Sequence, residues 1–182
     1  MGSVDLAATG LHPDPAMPTD DTLAALTRLY EAESARVHDL VLYRCGNRSV
    51  AEDVTARTFE AAAHAYASGR GAEVTPAWLT TVAKRRLVDH WRSSTRRDRL
   101  GEALESAAVT SPPPSDDDSP EIWEALDSLP PSQRAAVTLR YLEDWSVSEI
   151  ADGLDLSYKA TESLLSRGRA SLRTALTHLR AR

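Results

Sequence analysis

The chain has one cysteine, Cys45, among 182 residues. A disulfide framework is therefore excluded, and a reducing cytosol is the natural setting. Aromatic residues make up only 5% of the sequence, while Ala and Leu are abundant, which favours helices over a large sheet. No apolar run approaches the roughly 20 residues that cross a bilayer. The first twenty residues, MGSVDLAATGLHPDPAMPTD, lack a basic n-region and a long apolar h-region, so they do not read as a signal peptide. There is no HExxH, no P-loop and no Gly-rich dinucleotide fingerprint. The histidines at 12, 38, 64, 90 and 178 are scattered without ligand spacing. The run Asp116–Asp118 lies in a Pro-rich stretch that would preorganise nothing for a metal. No enzyme activity, catalytic residue, metal or cofactor is expected.

What is present is charge, unevenly placed. The formal net charge is -6, which by itself argues against a nucleic-acid binder. Residues 76–100, however, hold seven basic residues against two acidic ones, a local balance of about +5. Residues 154–182 hold six against two, about +4. Residues 101–128 hold eight carboxylates and no Lys or Arg. Two basic patches separated by an acidic spacer suggest two separate DNA contacts. Two solvated helix faces are the plainer alternative.

The apolar spacing is helical throughout and predicts an all-α chain of two small domains joined by a flexible acidic linker. Residues 1–20 read as a disordered extension. Residues 21–100 form the first domain. Leu23, Leu26, Leu29, Tyr30, Val37, Leu40 and Val41 keep helical spacing, and Gly46-Asn47 suits a helix end. Ser49 with Glu52 three residues on has the form of a capping box for the next helix. Ser68-Gly69-Arg70-Gly71 is a loop, and Pro76 opens a helix in which Trp78, Leu79, Val82, Leu87, Val88 and Trp91 alternate with basic residues. Residues 101–120, with SPPPSDDDSP, are the linker.

Residues 121–182 form the second domain. Pro130 and Pro131 suit a helix start. Ser146 to Leu154 presents Val147, Ile150, Ala151 and Leu154 at helical spacing, and Ser157 can cap a last, basic helix. Asp155 in the intervening turn tolerates left-handed geometry. Two short helices, a tight turn and a basic second helix make a helix-turn-helix.

Three blocks resemble, in the same order, the extracytoplasmic-function group of bacterial sigma factors. AEDVTARTFEAAAHAY is similar to region 2.2 of that family, PAWLTTVAKRRLVDHWRSSTRR to regions 2.3 and 2.4, and the stretch from LDSLPPSQ to RTAL to region 4. The resemblance implies a transcription initiation factor whose partners are core RNA polymerase and promoter DNA, with an anti-sigma factor as a further possible partner and a cytoplasmic location. It implies polymerase contacts at Glu52, Asp53 and Arg57. Contacts to the −10 element fall to Lys84, Arg85, Arg92, Arg96 and Arg97. Those to the −35 element fall to Tyr158, Lys159, Ala160, Thr161, Glu162 and Ser163 as base readers, with Arg167 and Arg169 on phosphates.

The chain departs from the family pattern at Ala56-Arg57, where Gln-Glu is frequent, and at Arg85, where Asn is common. It departs again near Glu162 and Leu164, where Lys and Arg are usual, and at Asp155, which replaces Gly. Trp78 and Trp91 are candidates for stacking on a freed base, but both fit the apolar face, and packing in the core is the reading their spacing favours. The rival function is a conventional helix-turn-helix repressor or activator with residues 21–100 as a sensor or dimerisation domain. Such a protein would bind duplex operator without polymerase.

Overall fold

The computed structural model describes residues 20–100 and 120–181, and within them every regular element is helical. All but the last residue of the expected extension and all but the last residue of the expected linker lie outside the described residues, and those two, Asp20 and Pro120, are helical. The first group of helices is α1 (Asp20–Cys45), α2 (Arg48–Ala67) and α3 (Pro76–Leu100), with a short 3-10 turn at Gly71–Glu73 between the last two. The second group is α4 (Pro120–Asp127), α5 (Pro131–Tyr141), α6 (Val147–Leu154) and α7 (Tyr158–Arg180).

Helices α1 and α2 form a hairpin, and its turn has a clear local cause. Gly46 adopts φ +63, a left-handed geometry that closes α1 at low steric cost. Its N–H donates to the Leu42 carbonyl at 2.8 Å. The cap of α2 is Asn47, whose side chain accepts from the Val50 N–H at 3.1 Å. Ser49 is not the cap: it already lies inside the helix, and Glu52 pairs with Arg48 at 3.0 Å instead of closing a capping box. Asn competes as well as Ser for this position, and the earlier of the two takes it. Helix α3 lies across the hairpin. Val41, Val54, Ala62, Leu79, Ala83 and Leu87 are essentially without solvent contact there. Each fully buried Leu or Val contributes about 1.5–3 kcal/mol of transfer free energy.

The helix-turn-helix of the second group follows its sequence signals closely. Pro130 precedes α5 and Pro131 is its first residue. Ser146 and Glu149 make a reciprocal capping box on α6. Asp155 takes φ 56 and ψ 49 in the turn, and Ser157 caps α7 by accepting from the Ala160 N–H at 3.2 Å. Gly168 allows α7 to pass close to α5, because a Cβ there would overlap Val137. Asp144 is a second left-handed residue, at φ 56 between α5 and α6.

The two groups are not held apart. Ala135, Ala136, Leu139, Ile150, Leu154, Leu164 and Leu165 belong to one continuous apolar cluster with the core of the first group. On the other side of α5, the Tyr43 and Trp123 rings meet with centroids 3.7 Å apart.

Candidate nucleic-acid interface

Helix α3 carries the first basic patch. Its apolar stripe faces inward, and Trp91 is a buried core residue while Trp78 is half-buried against the same core, as their spacing suggests. Arg85, Arg92 and Arg96 are exposed, and Lys84 and Arg97 are half-buried. Two of these cations are engaged by the second group. Lys84 donates to Glu143 at 2.6 Å, and Arg92 donates through Nε to the Gly153 carbonyl at 2.7 Å. Among the described residues, Arg97 donates to the Ser93 carbonyl one turn back, at 3.4 Å.

Glu143 also accepts from Arg44 at 2.6 Å, so one carboxylate bridges two cations of the first group. Burial pushes the Glu143 carboxyl up, but the hydrogen bonds and charges of Lys84 and Arg44 outweigh it and hold it below the usual carboxylate range. Neither Arg44 nor Glu143 was singled out by sequence reasoning. No local pattern marks them, since their partners lie 99 and 59 positions apart. A cavity of about 430 Å³ remains beside this bridge, with Arg85, Trp91 and Trp145 among its walls.

Helix α7 carries the second patch, and its residues sort by exposure. Tyr158, Lys159, Glu162, Ser163, Arg167 and Arg169 face solvent, and Ala160 is half-buried. Thr161 does not belong with the expected base readers. It is fully buried, and its hydroxyl donates to the Ser157 carbonyl at 3.1 Å. The reason is periodicity: Thr161, Leu164, Leu165 and Gly168 are the buried stripe of α7, at the i, i+3, i+4, i+7 spacing of a core face. That spacing was readable in the sequence.

On α2, Glu52, Asp53 and Arg57 all lie on the exposed face. Arg57 pairs with Asp53 at 3.1 Å one turn away, a surface pair of the kind worth only a few tenths of a kcal/mol. The pair is thus easily exchanged for a partner. Nearby His90 is held below its ordinary value first by burial and then by Arg97.

Comparison with known proteins decides the family. The Sigma-70 region 2 family matches residues 29–97 and the Sigma-70, region 4 family matches residues 119–172. The chain is 31% identical over 162 residues to the ECF RNA polymerase sigma factor SigL of Mycobacterium tuberculosis, covering 86% of this chain and 92% of that protein. The chain belongs to the extracytoplasmic-function sigma factors of the sigma-70 family. It is also 34% identical over 140 residues to the ECF sigma factor BldN of Streptomyces coelicolor, covering 70% of this chain but only 51% of that longer protein.

Two solved structures are similar to this sigma factor. One is RpoE in complex with the anti-sigma factor NepR from Bartonella quintana, with TM-score 0.45, 22% identity and coverage of 83% of this chain and 96% of that one. The other is the RsbN-BldN complex, with TM-score 0.33, 25% identity and coverage of 87% and 99%. The matched families make the protein a transcription initiation factor and do not favour the repressor reading. No helix among its described residues is long and apolar enough to cross a membrane.

Proposed function

We propose that this sigma factor joins core RNA polymerase through the exposed face of α2 and reads a two-part promoter with α3 and α7. Glu52, Asp53 and Arg57 are the polymerase contacts, since three charged side chains on one solvated face can exchange a weak internal pair for a protein partner. Lys84, Arg85, Arg92, Arg96 and Arg97 hold the melted −10 strand. Freeing a base costs a few kcal/mol of stacking and pairing, which contacts to its backbone along a cationic face can offset.

The start of α7 enters the −35 major groove. Tyr158, Lys159, Glu162 and Ser163 are the exposed candidates for base edges, and Ala160 lies at the margin of that surface. Arg167 and Arg169 sit further along and fit phosphate contacts. Glu162 has the chemistry to accept from a cytosine amino group.

The observation that carries the proposal is the arrangement of two cationic helices, one in each sigma-family domain, each with its apolar stripe buried and its basic side chains off that stripe. Purified core polymerase, given this chain and genomic DNA, should start transcripts at a shared two-part sequence when the RNA 5′ ends are read. Start sites that ignore the added chain would end the proposal. An anti-sigma partner is a further part of it, and co-purification from the native host tests it separately.

A further inference from the structure

The first turns of α7 carry an acid where a DNA-reading helix is expected to be basic. The family pattern has Lys and Arg near positions 162 and 164, and this chain has Glu and Leu. Tyr158, Lys159, Glu162, Ser163 and Ser166 are exposed on these turns. Leu164 belongs to the buried stripe, so Lys159 is the one cation these turns offer to base edges. Arg167, Arg169 and Arg173 lie further along the helix.

Glu162 does not serve the fold. It stands three positions from Lys159, a spacing at which opposite charges pair on a helix surface. Among the described residues, however, neither side chain makes an ion pair or a hydrogen bond. Facing the phosphates of a duplex, a free carboxylate is repelled unless a base donates to it. The four bases differ in what they can donate. In the major groove guanine shows two acceptors, N7 and O6. Adenine shows an acceptor beside its donor, and thymine an acceptor beside its methyl group. Cytosine alone shows a donor, its N4 amino group, with no acceptor on the same base. A carboxylate only accepts, so cytosine matches it and guanine opposes it.

We propose that Glu162 is the specificity-determining residue of α7: it selects a cytosine in the −35 element and rejects a guanine at that place, whose acceptors would face its own oxygens. The inference rests on the reading of α7 as the −35 helix. Lys159, which only donates, takes a guanine of the neighbouring pair. Three residues advance about 4.5 Å along a helix and one base pair about 3.4 Å along a duplex, so a helix lying along the groove brings the two side chains to adjacent pairs. Attraction and rejection then act together, one oppositely charged reader for each partner of a short G and C motif.

The test uses the full chain with core RNA polymerase and a promoter library randomised across the −35 element. The −10 element is taken from a start site of the wild type, and transcripts are counted by sequencing a template barcode. One −35 position should favour cytosine over guanine by about fivefold to a hundredfold. Changes at 162 should move that position alone. Glu162→Gln should turn it to adenine, whose N6 and N7 match an amide. Glu162→Lys should turn it to guanine, and Glu162→Ala should level it to within about twofold. All three replacements are good helix formers at an exposed site, so folding is preserved. Glu121→Gln, a loss of one negative charge at an exposed site on α4, should leave every position as it was.

A uniform rise on all templates in Glu162→Gln and Glu162→Ala, with the wild-type ranking kept, would make Glu162 a repeller of phosphate. That result would overturn the inference and leave α7 as the −35 helix. A wild-type preference for another base at the position Glu162 controls would overturn it as well. If the wild type ranked no −35 sequence above any other, the reading of α7 itself would fall.

Discussion

Helices α3 and α7 are both long, both basic and both buried along one apolar stripe, yet the rest of the chain treats them differently. On α3, Lys84 and Arg92 are bonded to the other domain, and Arg92 also lies 3.9 Å from Asp89. On α7, Lys159, Arg167, Arg169 and Arg173 are exposed, and among the described residues none of them makes an ion pair with a carboxylate. A helix that meets intact duplex can be left open to solvent, because duplex phosphates are available everywhere and the contact is weak until bases match. A helix that holds a melted strand would bind any single strand it met.

The largest effect should come from breaking the buried Asp127–Arg134 pair of the second group, whose guanidinium also bonds the end of α1. Arg134→Ala leaves Asp127 buried with neither oxygen satisfied. Removing one partner of such a pair typically costs about 3–5 kcal/mol. Urea unfolding followed by helix signal should show that loss, and a change under about 1 kcal/mol would mean that the Asp127–Arg134 pair is not buried in solution.

Reversing Arg96 and Arg97 to Glu comes next and should act on the α3 side alone. Permanganate footprinting of the promoter should show strand opening reduced by about tenfold or more, with polymerase binding unaltered. Equal loss of both would erase the distinction between α2 and α3.

Lys159→Ala should act on the α7 side alone. A good base contact discriminates by about 1–3 kcal/mol. A panel of −35 sequences should therefore change rank while opening at −10 does not, and an identical ranking would remove Lys159 from the readers. Thr161→Val, in contrast, should leave the ranking unchanged and affect only folding stability, since its hydroxyl is spent inside the helix.

The smallest effect is that of pH. Glu143 is held below the usual carboxylate range where the two groups of helices meet. A depressed value stabilises that packing above the ordinary carboxylate pKa, and the stabilisation is lost as pH falls through the depressed one. Compactness measured by scattering should therefore be flat between about pH 6 and 8 and decline only in acid. A transition near neutrality would point to a histidine instead.

Most of the fold was legible, and for local reasons. Pro76, Pro131, Gly46, Ser157 and Asp155 each act within a few residues of their own position, and all do what their chemistry suggests. The error at the start of α2 was equally local, a competition between Asn47 and Ser49 for one cap. Thr161 fits a reader by its place in the first turn of α7, but it heads the buried stripe of that helix, and the face decides over the position along the chain. The contact between the halves was not legible at all. Asp127 with Arg134 and Glu143 with Lys84 look like ordinary surface charges in a linear sequence, and what removes them from water is a packing 60 to 100 positions away.

The end of α1 depends on that distant packing. Its last carbonyls, at Tyr43 and Arg44, accept from a guanidinium of the other domain, and a Cβ on Gly46 would collide with the same group. Any loss of that packing would pass those carbonyls to water and free the final turn of α1 to fray. The amide of Gly46, bonded to the Leu42 carbonyl, therefore doubles as an indicator, and its rate of deuterium uptake should report whether the two groups stay packed in solution.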